Sequence, residues 1–306
     1  MKVPHPIPYQ GSKRKIARYV LACFPRDIDT LIEPFAGSAA ITIAAASLGK
    51  ASRFYINDLN APLMSLWEEI INDPQGLSGK YAHLWEEQQE NAREYYDLVR
   101  DKFNATHKPE YLLYLLARCV KASVRYNPKG EFNQSPDNRR LGRRPQQMAG
   151  DIHAVSNLLR GKVTITSQDY REMLSFMEEG DLVYMDPPYQ GVCGTGDPRY
   201  YGGINSEEFV QFLVELTSRD ISFILSYDGR TGTKTYGKSL PSNLEMRHIE
   251  INAGRSTQST LLGRKAITYE SIYLSKALVS RLGPKIQEIE GKTHKRPARQ
   301  LELFQM

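Results

Sequence analysis

Asp186-Pro187-Pro188-Tyr189 is the segment whose residue types could do chemistry. It follows Asp181 to Met185, an apolar run that reads as a buried strand. Two prolines fix φ and remove two backbone donors, so the surrounding carbonyls are left to accept hydrogen bonds from a ligand. An aromatic amine is a ligand that needs such acceptors. Its lone pair is delocalised into the ring, and the nitrogen is a poor nucleophile until its two N–H bonds are engaged. The Asp186 carboxylate and the Pro187 carbonyl would engage them and offset positive charge as the nitrogen attacks. Tyr189 offers a flat surface on which an extruded base can stack. The same residues also fit a plain loop, in which Asp186 caps a turn and Tyr189 packs in the core.

The elements around this segment predict an α/β sheet. Thr30 to Phe35 reads as a buried strand, Ala36-Gly37-Ser38 as a turn, Ala39 to Leu48 as a helix, and Arg53 to Ile56 as a second strand ending in Asn57-Asp58. This is a βαβ unit with parallel pairing. Ser12 is expected to cap a basic helix from about Lys13 to Cys23. Strands resume at Lys162 to Thr166, Asp181 to Met185 and Ile221 to Ser226, with a helix over Ser206 to Ser218. Two further β-rich segments, about Glu245 to Asn252 and Ala266 to Leu274, close a Rossmann-like, doubly wound sheet. Its carboxyl edge is where ligands bind.

Between these halves no segment reads as a strand. Leu77 to Phe103, Tyr111 to Val124 and Gln146 to Leu159 read as helical, and Tyr126 to Pro145 as a loop. The expected organisation is a catalytic domain from 1–61 and 160–280, an inserted helical domain at 62–159, and a flexible basic tail at 281–306.

Composition narrows the class. The 306 residues suit one large α/β domain or a core with an insert, and 41% hydrophobic content suffices for a buried core. The net charge of +5 permits a polyanionic partner without requiring one. Cys23, Cys119 and Cys193 are too scattered for a disulfide framework or a metal site, and the six histidines show no ligand spacing, so no metal is expected. No apolar signal core or spanning run is present, which predicts a cytoplasmic protein without membrane contact.

Several segments, in order along about residues 7 to 275, resemble the Dam-type family of DNA adenine-N6 methyltransferases, in the group whose target-recognition domain is inserted in the catalytic fold. Ile32-Glu33-Pro34-Phe35-Ala36-Gly37-Ser38 is similar to the family's first motif, whose turn lets the backbone approach S-adenosyl-L-methionine; Ala39 stands where a second glycine is usual. The resemblance assigns Glu33, Pro34, Phe35 and Gly37 to that cofactor. Asp58 ends the second strand, where an acid can accept from ribose hydroxyls, and the resemblance gives it this role; the alternative is a helix cap. Tyr9-Gln10-Gly11-Ser12-Lys13 resembles the N-terminal motif, with Tyr9 where tryptophan is common. A sulfonium would gain energy beside an aromatic face, and Lys13 would meet the cofactor carboxylate. Asp169-Tyr170 resembles the pair that borders the cofactor adenine, and fits a cap beside a core tyrosine equally well. The resemblance also implies that Asp186 borders the cofactor as well as the target amine.

Arg125-Tyr126-Asn127-Pro128-Lys129-Gly130-Glu131-Phe132-Asn133 resembles the family's Arg-Tyr-Asn loop, which implies DNA contacts from Arg125, Tyr126, Asn127, Lys129 and Asn133. Tyr126 would fill the gap an extruded base leaves. Arg139, Arg140, Arg143 and Arg144 follow and suit phosphates or guanine edges; a solvated charged loop is the alternative. Gln300-Leu301-Glu302-Leu303-Phe304 resembles the peptides by which bacterial replication and repair proteins dock on the sliding clamp, through Gln300, Leu301, Leu303 and Phe304.

The resemblance implies methylation of adenine N6 in a specific double-stranded DNA sequence by base flipping, by a monomer, as restriction-modification, phage and housekeeping enzymes do. Two other readings stay open. One is N4-methylation of cytosine or an RNA base amine, which Asp186 and the inserted loop disfavour. The other is a silent DNA-binding regulator on the same fold, against which the intact Asp186, Pro187, Tyr189 and Asp58 speak.

Overall fold

The structure is a computed structural model that describes residues 3–188, 204–231, 234–236, 240–255 and 267–293. Its centre is a sheet ordered β3-β2-β1-β4-β5-β8-β7. The strands are β1 (Thr30–Glu33), β2 (Arg53–Asn57), β3 (Val163–Thr166), β4 (Leu182–Met185), β5 (Ser222–Thr231), β6 (Lys234–Tyr236), β7 (Arg247–Arg255) and β8 (Ile267–Leu274), with β6 pairing β5 off the main path. The first five pair in parallel, and β8 joins β5 antiparallel. The order reverses between β1 and β4, which makes their carboxyl ends the binding edge of such a sheet.

The apolar runs put β1, β4 and β5 inside. Alternate residues point to opposite faces. Leu31, Leu182, Tyr184 and Ile224 join one buried cluster, while Ile32, Val183, Met185, Phe223 and Leu225 join the other. On the second face lie Phe209, Phe212, Leu213 and Leu216 of α8 (Ser206–Ser218). The first face takes α1 (Ala17–Ala22) and α2 (Ala40–Ser47).

Five helices lie between β2 and β3: α3 (Ala61–Asn72), α4 (Pro74–Glu87), α5 (Ala92–Thr106), α6 (Pro109–Arg118) and α7 (Pro145–Leu159). Their apolar residues, Trp67, Tyr96, Leu113 and Ile152 among them, belong to the same buried cluster as Leu31 and Leu182. The stretch from Leu77 to Phe103 is not one helix. Asn91 accepts from the Glu94 N–H and starts α5 afresh. The Ser156 hydroxyl and the Arg160 guanidinium both donate to the Ile71 carbonyl, pinning the end of α7 to the end of α3.

Two expectations are corrected. Ser12 caps nothing. Lys13–Lys15 is a short 3-10 turn, α1 starts only at Ala17, and the Ser12 hydroxyl bonds Ser38 Oγ instead. The segment from 281 is not a tail throughout. Arg281 lies in α9 (Lys276–Leu282), and α10 (Lys285–Thr293) docks through Ile289, which is buried, and the Arg247–Glu290 ion pair. An apolar residue inside a charged run is enough to seat one face of a short helix. Residues 294–306, with Gln300, Leu301, Leu303 and Phe304, lie outside the described residues. No helix among the described residues is long and apolar enough to cross a membrane.

Candidate active site

A cleft opens at the carboxyl ends of β1 and β4. Its walls are Tyr9 to Lys13, the turn after β1, Asp58 to Asn60, Gln168 to Arg171 and Asp186 to Pro188. Segments more than 170 residues apart in sequence therefore meet in one space.

The turn after β1 is built by small residues. Gly37 has φ of 48°, and a Cβ there would come 3.2 Å from the Tyr9 ring, so glycine serves both the backbone and the aromatic wall. The Gly37 N–H donates to Asp58 Oδ2 at 3.0 Å, and its carbonyl accepts from Trp67 Nε1 at 2.9 Å. Ala39, the departure from the family pattern, adopts the left-handed conformation at φ 44° and ψ 39°. It supplies no capping side chain. Glu33, buried at 2% exposure, reaches across to accept the Thr42 N–H in the first turn of α2. Burial pushes the Glu33 carboxyl up to about 8 against that hydrogen bond. Glu33 thus lines the cleft as an internal helix cap.

Asp58 accepts from Gly37 N–H with one oxygen and from Asn60 N–H with the other, at 3.0 Å each. Burial raises its pKa and these two bonds oppose the rise. Asn57 beside it ties three strand ends. Its amide donates to the Pro34 and Gln168 carbonyls, and its oxygen accepts from Gln168 N–H and the Thr166 hydroxyl.

Asp169 caps the 3-10 turn Tyr170–Phe176 and pairs with Arg171 at 2.8 Å, which holds its carboxyl below the usual range; Arg171 also pairs with Glu208. The Tyr170 ring lies tilted against Phe35 at 5.1 Å and edge-on to Phe212 at 4.9 Å. Its buried hydroxyl has no hydrogen-bond partner among the described residues. The pair is thus a cap beside a packed aromatic, and both residues line the cleft.

At β4, Lys13 Nζ lies 2.8 Å from Asp186 Oδ1, and the Tyr184 hydroxyl bonds Ser226 Oγ at 2.8 Å. Pro187 and Pro188 form the adjoining wall. Tyr189 lies outside the described residues.

The DNA candidates separate into three groups. Tyr126 is not displayed. It is buried at 6% exposure, packs edge-on against Phe132, and its hydroxyl donates to Asn60 Oδ1. Asn127 builds a turn, accepting from the Lys129 and Glu131 N–H groups. Arg125 is half-buried, with Nε buried and unpartnered among the described residues. Lys129 and Asn133 are exposed. Arg139 and Arg140 stand in solvent but share the Asp137 carboxylate, which they hold below the usual range; Arg144 is also exposed. Arg143 is withdrawn: it pairs with Asp151 and donates to the His5 carbonyl.

A family profile for D12 class N6 adenine-specific DNA methyltransferases matches residues 9–257. The chain belongs to this family. It is an adenine-N6 DNA methyltransferase. A type II methyltransferase of Lactococcus lactis subsp. cremoris is 27% identical over 84% of this chain and 90% of its own length. The retron Ec67 DNA adenine methylase of Escherichia coli is 29% identical over 75% of this chain and 80% of its own. The modification methylase StsI of Streptococcus sanguinis is 24% identical over 84% of this chain but only 41% of its own, so the chain spans less than half of that relative.

The cleft is also lined by Asn60, Arg171, Tyr184 and Glu208, which the sequence reading passed over, and Asn57 and Glu270 bond to residues of its wall. Asn57 carried a signal, as a polar residue at the end of an apolar strand next to Asp58. Glu270 carried none, because it comes from β8, 84 positions beyond Asp186.

Proposed function

We propose that this cleft binds S-adenosyl-L-methionine and presents Asp186 and the Pro187 carbonyl to the N6 amine of an adenine extruded from a double-stranded recognition sequence. The carrying observation is that Asp186 shares one cleft with the first-motif turn, Asp58 and the Asp169-Tyr170 pair.

The residues fit the cofactor. Each Asp58 oxygen accepts one N–H and keeps a lone pair for a ribose hydroxyl. Asp169, Tyr170 and Phe35 offer an acceptor and an aromatic wall for an adenine, with the buried Tyr170 hydroxyl in want of a partner. Tyr9 against Gly37 offers a π face for a cation. When bound, the cofactor supplies a methyl group on a sulfonium. Asp186 and Pro187 accept the two amine N–H bonds, localise the nitrogen lone pair and offset its developing charge.

Target recognition falls to the helical segment 62–159. The exposed Lys129, Asn133, Arg139, Arg140 and Arg144 suit a duplex backbone or base edges. For residues 300–304, clamp docking is a separate reading: a tail peptide should bind a bacterial sliding clamp, and the Leu303→Ala, Phe304→Ala peptide should not.

Asp186→Ala decides the central reading. Methyl transfer should fall by roughly 10²–10³-fold or more, while S-adenosylhomocysteine affinity by calorimetry stays within a few-fold. Unchanged turnover overturns the site. Sequencing DNA from expressing cells with a method that reads modified adenine gives the recognition context.

A further inference from the structure

Lys13 is almost wholly enclosed, at 8% exposure, in the 3-10 turn on the cleft wall. A buried ammonium is costly unless a carboxylate meets it. The family resemblance points this lysine at the cofactor carboxylate. The structure places it on Asp186, at 2.8 Å from Oδ1, with Glu270 of β8 at 3.9 Å.

The turn that carries Lys13 is fixed. Ser12 N–H donates to the Tyr9 carbonyl, the Ser12 hydroxyl bonds Ser38 Oγ, and Gln10 N–H donates to the Ala122 carbonyl. Among the described residues, Glu33 from β1, Tyr184 and Asp186 from β4 and its end, and Glu270 from β8 face this point. Each of these is an acid, and Lys13 sets its ammonium among them. Without it, neighbouring carboxylates would favour the protonated form of Asp186. A protonated carboxyl presents a donor where the target amine needs an acceptor.

We propose that Lys13 is a positioning residue of the methyl-transfer step: its ammonium keeps the Asp186 carboxylate ionised and fixed in the cleft, and Glu270 steers the ammonium onto it. This rests on the reading of Asp186 as the amine acceptor. A carboxylate has about four lone-pair directions, so one from Lys13 and one from an amine N–H are compatible.

The test uses the full chain with Lys13→Met, Lys13→Arg, Glu270→Gln and Asp186→Ala. Three quantities are read: single-turnover methylation of duplex DNA, its pH profile, and S-adenosylhomocysteine affinity by calorimetry. Lys13→Met should lower the single-turnover rate about 10²-fold and move the acid limb of the profile to higher pH. Its S-adenosylhomocysteine affinity should stay within about threefold, a ratio worth only ~0.6 kcal/mol. Lys13→Arg should recover part of the rate that Lys13→Met loses, and Glu270→Gln, which loosens the ammonium but removes a neighbouring negative charge, should lower the rate by less than Lys13→Met without moving the acid limb to higher pH. If Lys13→Met does not fold, these two variants carry the decision. Equal losses in rate and S-adenosylhomocysteine affinity with an unmoved acid limb would place Lys13 on the cofactor and overturn the proposal. So would a wild-type rate in Lys13→Met beside an inactive Asp186→Ala. An Asp186→Ala protein that still methylates overturns the site reading itself, and the role of Lys13 with it.

Discussion

The Tyr126 hydroxyl donates to Asn60 Oδ1 across 3.3 Å, which joins the Arg-Tyr-Asn loop to the residue that caps α3. The next backbone contact is the Asp58 carboxylate, which accepts the Asn60 N–H. The loop expected to enter DNA is thus anchored to the cleft through the ring expected to fill a gap.

Tyr126 should behave as a core residue. Tyr126→Phe loses one hydrogen bond and should cost about 1 kcal/mol in urea denaturation. Tyr126→Ala should cost about 3–5 kcal/mol. A neutral Tyr126→Ala would mean that the ring stands outside the core.

Ala39 sits in the left-handed region and is fully buried. Glycine there relieves roughly 1–2 kcal/mol of backbone strain, but gives up a buried methyl and frees the unfolded chain, about 1 kcal/mol each. Ala39→Gly is therefore expected within about 1 kcal/mol of the parent. Ala39→Val adds a branched side chain to a forbidden φ and an enclosed site and should cost more than about 2 kcal/mol. Thermal melts of the pair check this, and a tolerated valine contradicts it.

Glu33 has a pH signature. Its folded pKa of about 8 lies above the ordinary 4.5. Between these values the folded chain keeps a proton that the unfolded chain releases. Stability from this group is complete below about pH 4.5 and is lost as pH rises through 8. Glu33→Gln carries no such proton. Its melting temperature relative to the parent should climb from pH 5 to pH 8, and a flat or falling difference refutes the assignment.

Arg139, Arg140 and Arg144 should hold DNA phosphates, and Arg143 should not. Changing the first three to glutamine should lower the slope of log affinity against log salt by about 0.9 per lost contact. Arg143→Gln should leave that slope in place and lower the melting temperature, since it breaks the ties to Asp151 and His5. Equal slopes for the triple variant and the parent return the loop to a solvated surface.

The sequence by itself determined the sheet and the motif order, and it named most of the residues that the fold gathers into one cleft. These are encoded locally. Two prolines remove donors wherever they stand, an apolar run such as Leu182 to Met185 must be buried, and a small-residue turn between β1 and α2 brings the backbone close to a ligand. Even the departure at Ala39 was visible, though not its positive φ. Only the tertiary structure decided which partner each polar side chain takes. Lys13 goes to Asp186 and Glu270, Glu33 to the first turn of α2, Arg143 to Asp151, and Tyr126 to Asn60. Nearly every such choice pairs residues from separate elements, and the three that close on the cleft from Lys13 and Tyr126 span 66 to 257 positions. Long side chains reach several acceptors from one Cα, and burial selects among them, because a buried polar group must find whichever partner the packed elements bring within reach. The same holds at the other end: Ile289 seats α10 because β7 and α1 leave an apolar place for it, which residues 281–306 alone do not announce.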